Sequence, residues 1–161
     1  AVYNSEEPTS GKDPVNMGVG IHIGQLVLGT IGRELRMETT VISDTVNASA
    51  RLENLNKTYK TNVLISGAVR DELSPDIQSF CRLIDRTQVK GKVEFLDVYE
   101  VYLTDDVEVA EAKSKSKKVL TSIVDSYYLG DIKAAKKRLS ELEDDTKKDT
   151  VISFWKNRLK T

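Results

Sequence analysis

Between Thr45 and Tyr59 the residues Ala48, Leu52, Leu55 and Tyr59 recur at helical spacing, and short apolar runs stand on either side, MGVGIHIGQLVL at 17–28 and NVLIS at 62–66. A helix with one stripe to bury, set between extended segments too apolar for an open surface, constrains the chain to a sheet with helices packed on it. The run at 17–28 predicts a buried strand whose glycines let backbone pass close to a neighbour. Gly29 and Gly32 bracket a turn, and RMETTVI at 36–42 supplies a second extended segment. Ser43 or Asp44 is placed to cap the helix. Gly67 to Leu73 reads as a short helix ended by Ser74-Pro75. Extended runs near Phe80–Val89 and Glu94–Leu103 then flank the turn Lys90-Gly91-Lys92. Strands and helices interleave, so the body is α+β or α/β.

After Leu103 the character changes. TDDVEVAEAKSKSKK is charged and of low complexity, a linker or a solvated connecting helix. Beyond it Leu120, Ile123, Val124, Tyr127 and Tyr128 form a helical stripe that stops at Gly130. Asp131 is placed to cap a helix carrying Ile132, Ala135, Leu139 and Leu142, and Asp149 or Thr150 to start a third carrying Ile152, Trp155 and Leu159. The expected division is a main body at 1–103, a charged linker or connecting helix at 104–118 and a helical tail at 119–161. Residues 4–16 read as an exposed loop.

Charge excludes some functions. The 24 Lys and Arg nearly cancel the 25 Asp and Glu, so no global field draws the chain to nucleic acid or an anionic membrane, and an anionic ligand must be held locally. Cys81 is the single cysteine, which rules out an intrachain disulfide and a CxxC site and suits a cytoplasmic setting. No window has the apolar length of a membrane span, and no secretory signal stands at the start. The chain begins on Ala1 rather than Met, so the expectation is a piece of a longer parent, with a sensor or membrane anchor upstream.

Asn47 and Arg51 lie four apart near the start of the helix and share one face. An amide and a guanidinium aimed at one point stabilise negative charge developing at phosphorus. The alternative for such a pair is an ordinary solvated face. Neither a GxxxxGK[ST] loop nor a GxGxxG strand-turn-helix is present.

The surrounding residues resemble a family. Gly20-Ile-His-Ile-Gly24, Arg36-Met-Glu-Thr-Thr-Val-Ile-Ser-Asp-Thr-Val-Asn-Ala-Ser-Ala-Arg-Leu-Glu53 and Val89-Lys-Gly-Lys92 stand in the order and spacing of class III adenylate and guanylate cyclases, across about residues 17–103. The resemblance implies an α+β fold, the later strands and helices of a ferredoxin-like βαββαβ core. It implies that Asn47 orients the ribose as its 3′-oxygen attacks, that Arg51 stabilises the α-phosphoryl group, and that Lys90 contacts the terminal phosphates. Thr40 falls where the family reads the purine and favours ATP over GTP; its alternative is a strand threonine chosen for β propensity. His22 takes a structural place, and Asp44 caps the helix rather than binding metal. Thr39, Ser43 and Ser49-Ala50 depart from the usual aromatic, glycine and Ala-Ser.

The family also uses Mg or Mn held by two aspartates from the first half of the domain. Those elements do not occur in this chain, so no metal ligand and no bound cofactor is expected on it. Family sites form between protomers, which implies ATP as substrate, a homodimer or other oligomer, and the missing N-terminal half as partner. The chain alone is therefore expected to be inactive. A pseudo-cyclase serving dimerisation or regulation is the alternative. The tail, with Tyr127-Tyr128-Leu129-Gly130-Asp131 before a helix of small and apolar residues, resembles part of a tetratricopeptide repeat. Too short to stand alone, it should pack on the body or on sequence outside the chain.

Overall fold

A computed structural model describes residues 17–33, 36–42, 44–88, 95–142 and 149–160, with side chains undescribed at 27–43. Among the described residues the order is β1 (Val19–Ile21), β2 (Val27–Arg33), β3 (Arg36–Ile42), α1 (Asp44–Tyr59), β4 (Val63–Ser66), α2 (Gly67–Glu72), α3 (Pro75–Ser79), β5 (Cys81–Gln88), β6 (Phe95–Val101), α4 (Val107–Tyr128), α5 (Ile132–Ser140) and α6 (Thr150–Arg158). β1, β4, β6 and β5 form a four-stranded mixed sheet in that order. β1 runs parallel to β4 with Ile21 opposite Ile65, whereas β4–β6 and β5–β6 are antiparallel. β2 and β3 form a separate hairpin.

The extended run at 17–28 is not one buried strand. It divides into β1 and the start of β2, and Met17, Val19, Ile21, Ile23 and Leu26 are exposed. Gly29 and Gly32 are strand residues paired with Thr40 and Met37, so the hairpin reverses after Arg33 instead. Pattern alone could not separate these cases, because glycine marks turns and also strands that other backbone approaches. The short helix α3 was not foreseen; Pro75 opens it at a position where a missing N–H costs nothing. The Lys90-Gly91-Lys92 turn lies outside the described residues.

Much of the charged stretch at 104–118 is the first half of α4, which continues unbroken to Tyr128, so the division at 118/119 falls inside a helix. Gly130, with φ of 81°, ends the α4 turn, and Asp131 caps α5 by accepting from the Ala134 N–H at 2.9 Å.

Body and tail share one core. Leu52 and Tyr59 of α1, Leu64 of β4, Ile84 of β5 and Val98 of β6 pack with Leu120, Ile123 and Val124 of α4, Ala135 of α5, and Val151 and Trp155 of α6. A fully buried aliphatic side chain contributes about 1.5–3 kcal/mol, so neither portion could bury this surface alone.

Polar anchors hold the tail in register. Arg82 on β5 is fully buried and pairs with Glu100 of β6 at 2.7 Å and with Asp149 at 2.5 and 3.0 Å. Asp149 also caps α6, accepting from the Val151 N–H at 3.0 Å. Lys113 of α4 reaches Glu100 at 2.6 Å. Leu83 stands opposite Tyr99 and Asp85 opposite Val98, which leaves Ile84 as a bulge on β5. The Trp155 indole N–H donates to the Ile84 carbonyl at 2.8 Å.

One residue past the bulge, Asp85 accepts from Tyr59 at 2.5 Å, Arg158 at 2.7 Å and Tyr128 at 2.9 Å. The Arg158 guanidinium lies 4.4 Å from the Tyr127 ring centroid and 5.0 Å from that of Trp155. Burial opposes the Arg158 charge, but the Asp85 carboxylate and the neighbouring tyrosines outweigh it and hold its pKa above the usual range. Burial first and Asp85 second push the Tyr59 hydroxyl up, and the same two causes push Tyr128 up to about 12.

Two outcomes follow. The folded chain holds these phenolic protons more tightly than the unfolded one, so stability is intact below the ordinary tyrosine value of 10 and falls as pH rises through about 12. Urea midpoints taken across that range should drop and Tyr128→Phe should flatten the drop; a midpoint indifferent to alkali would refute the assignment. Arg82→Met, which strands buried carboxylates, should lower unfolding free energy by about 3–5 kcal/mol in urea titration, and a loss below about 1 kcal/mol would mean the pair is not desolvated.

Candidate active site

Asn47 and Arg51 stand one turn apart on the exposed face of α1. The opposite face buries Ala48, Leu52, Asn56 and Tyr59, while Leu55 is half-buried. Amphipathicity therefore orients the helix so that the amide and the guanidinium face outward. Neither side chain has a hydrogen-bond or ion-pair partner among the described residues. Asp44 is the first helical residue rather than a cap ahead of it, and its carboxylate sits at the positive end of the helix dipole.

β1 supports this helix by close approach. A Cβ on Gly20 would lie 2.2 Å from the Glu53 nitrogen and 2.5 Å from the Ser49 carbonyl oxygen; one on Gly24 would lie 2.4 Å from Thr45 Oγ1. Gly20 thus lets strand and helix backbones meet, as the sequence suggested, and Gly24 leaves room for the Thr45 side chain. Asn56, nearly fully buried, fastens the contact: its Nδ2 donates to the Val19 carbonyl at 3.0 Å and its Oδ1 accepts from Thr61 at 3.0 Å. His22 Nδ1 shares a 2.8 Å hydrogen bond with Ser66 Oγ, which also caps α2. The histidine ties the segment after β1 to the end of β4.

Thr40 lies in β3, paired with Gly29 on the hairpin that leads into α1, and its side chain is outside the description. Lys90 lies outside the described residues; it belongs to the connection between β5 and β6, the strands braced by the tail. The structure thus brings Asn47 and Arg51 together. Among the described residues no group of three or more His, Cys, Asp or Glu is placed to hold a metal ion, and no helix is long and apolar enough to cross a membrane.

The sequence reading missed Asn56 and the Tyr59–Asp85–Arg158 cluster. Asn56 was detectable, since it continues the four-residue series from Ala48 and Leu52 on the buried stripe. The cluster joins residues 26 and 73 positions apart and leaves no local signal.

The model of the adenylate and guanylate cyclase catalytic domain matches residues 2–105. The chain belongs to that family. It is 43% identical over 93 residues to an adenylate cyclase of Anabaena cylindrica, covering 57% of this chain and 18% of the relative. To adenylate cyclase 1 of Rhizobium meliloti (strain 1021) it is 40% identical over 99 residues, covering 62% and 15%. A solved bacterial light-regulated adenylyl cyclase aligns at 24% identity and a TM-score of 0.45, over 62% of this chain and 28% of that one. The chain therefore spans less than a fifth of these two curated relatives. The mixed α+β arrangement of β1–β6 with α1–α3 is the part of a cyclase domain present here.

Among the described residues Asn47 and Arg51 are exposed and make no hydrogen bond or ion pair that supports the fold. Asn47→Ala and Arg51→Ala should each leave the urea midpoint within about 0.5 kcal/mol of the parent chain. A larger loss in either would assign that residue a structural duty.

Proposed function

We propose that this chain is part of an adenylate cyclase that converts ATP to cyclic AMP and pyrophosphate, and that it supplies the half of the site that stabilises the transition state. The outward pair Asn47 and Arg51, set on a helix whose other face is fixed by the core, carries this reading within the cyclase family. In the reaction the ribose 3′-oxygen bonds to the α-phosphorus as the bond to the departing pyrophosphate oxygen breaks. Asn47 orients the ribose, and Arg51 offers fixed donors to the charge on the α-phosphoryl oxygens, an interaction that strengthens in the transition state. Lys90 takes the terminal phosphates, and Thr40 reads adenine. The adenylate cyclases among the relatives support ATP over GTP.

Divalent Mg or Mn supplies Lewis-acid stabilisation in the complete enzyme. By the resemblance its ligands are two aspartates from the first half of the domain, in the same or a partner protomer. The exposed apolar residues along β1, Met17 at 74% and Ile23 at 52% among them, support an assembly partner on that side. The same strip favours the second reading, a non-catalytic module that dimerises or regulates through β1.

The test is a cyclic AMP assay of this chain alone, and of a cyclase domain in which residues 17–103 complete a first half bearing the metal aspartates. The chain alone should be silent and the completed domain active, with Asn47→Ala or Arg51→Ala lowering kcat by about 100-fold or more. Cyclic AMP from the chain by itself would overturn the half-site assignment. A completed domain indifferent to both substitutions would favour the non-catalytic module.

A further inference from the structure

Helix α1 is held at two places. Its first half lies on β1 through the glycine contacts, and its last residue, Tyr59, enters the tail cluster. There the Tyr59 hydroxyl donates to Asp85, the same carboxylate is gripped by Arg158 at the end of α6, and the Tyr59 ring meets Phe154 of α6 edge-on at 4.8 Å. α6 is itself pinned to β5 at both ends, by Asp149 on Arg82 and by Arg158 on Asp85. Its placement is therefore rigid relative to the sheet, and it touches α1 at the end remote from the candidate site.

Geometry gives that contact leverage. At the helical rise, Tyr59 lies about 18 Å along the axis from Asn47 and about 12 Å from Arg51. Tilting α1 by about 5° at this end shifts Asn47 by about 1.6 Å over such a length. A misplacement near 1 Å costs a reaction about 100-fold in rate.

We propose that the C-terminal tail sets the tilt of α1, with Arg158 and Asp85 acting through Tyr59 as positioning residues for Asn47 and Arg51. The significance for nucleotide rests on the cyclase reading, whereas the coupling itself does not. By linkage, anything that draws α6 off β5 lowers nucleotide affinity, and nucleotide tightens α6.

The experiment uses the whole chain with Tyr59→Phe, Arg158→Met, Arg158→Lys, and Lys137→Met on exposed α5 as control. Amide exchange is followed over residues 44–51 and over β4 and β6, and ATP binding is measured in magnesium buffer. Tyr59→Phe, which keeps the ring and removes one hydroxyl, should speed exchange over 44–51 about tenfold with β4 and β6 unchanged. Arg158→Met should do at least as much and weaken ATP binding roughly fivefold; Arg158→Lys should recover most of both, and the control should change neither. Exchange over 44–51 that stays put, or rises equally in β4 and β6, overturns the coupling even if ATP binds. Selective loosening of 44–51 in a chain that does not bind ATP upholds the coupling and removes the cyclase reading.

Discussion

A guanidinium with no exposure to water has to be neutralised where it stands, and Arg82 is in that position. Glu100 on the adjacent strand provides one carboxylate and is shared with Lys113, which Asp105 also neutralises, and Asp149 provides the second carboxylate on Arg82. Asp149 is the cap of the last helix. The buried pair therefore ties the strand to α6, and α6 in turn brings Trp155 to Ile84 and Arg158 to Asp85. The desolvated pair and the shared apolar core together join the tail to the sheet.

This dependence also explains what the sequence disclosed and what it withheld. The helices of the tail were legible because each carries its own punctuation: Gly130 at a positive φ, Asp131 on the Ala134 N–H, Asp149 on the first turn of α6. The α1 stripe was legible in the same way, and its solvent face located Asn47 and Arg51 before any fold was known. β1 was misjudged because its apolar residues, read as buried, line an exposed edge; hydrophobicity records what a segment is built to meet, not whether it is covered in a given chain. The stretch at 104–118 read as a linker or a connecting helix, because Lys and Glu side chains on a solvated helix face resemble those of a linker, and most of it is the start of α4, which runs on to Tyr128.

The candidate site divides along the same line. Residues on one helical face are related by the 3.6-residue period, so spacing alone joined Asn47 to Arg51. Residues that act through long-range packing are not, and Asp85 with its three partners became visible only with the fold. Family resemblance contributed roles to the first group and was silent about the second.

The bulge at Ile84 has a consequence of parity. In a regular strand residues an odd number apart point to opposite faces, so Arg82 and Asp85 could not both meet the tail. The extra residue inverts the alternation once and delivers both anchors to the same side, where Asp149 and Arg158 wait at the two ends of one helix. Losing a single residue at this point would keep every charge in the chain and still turn one anchor away from its partner. The arrangement is sensitive to chain length in a way that composition and pairwise chemistry do not register.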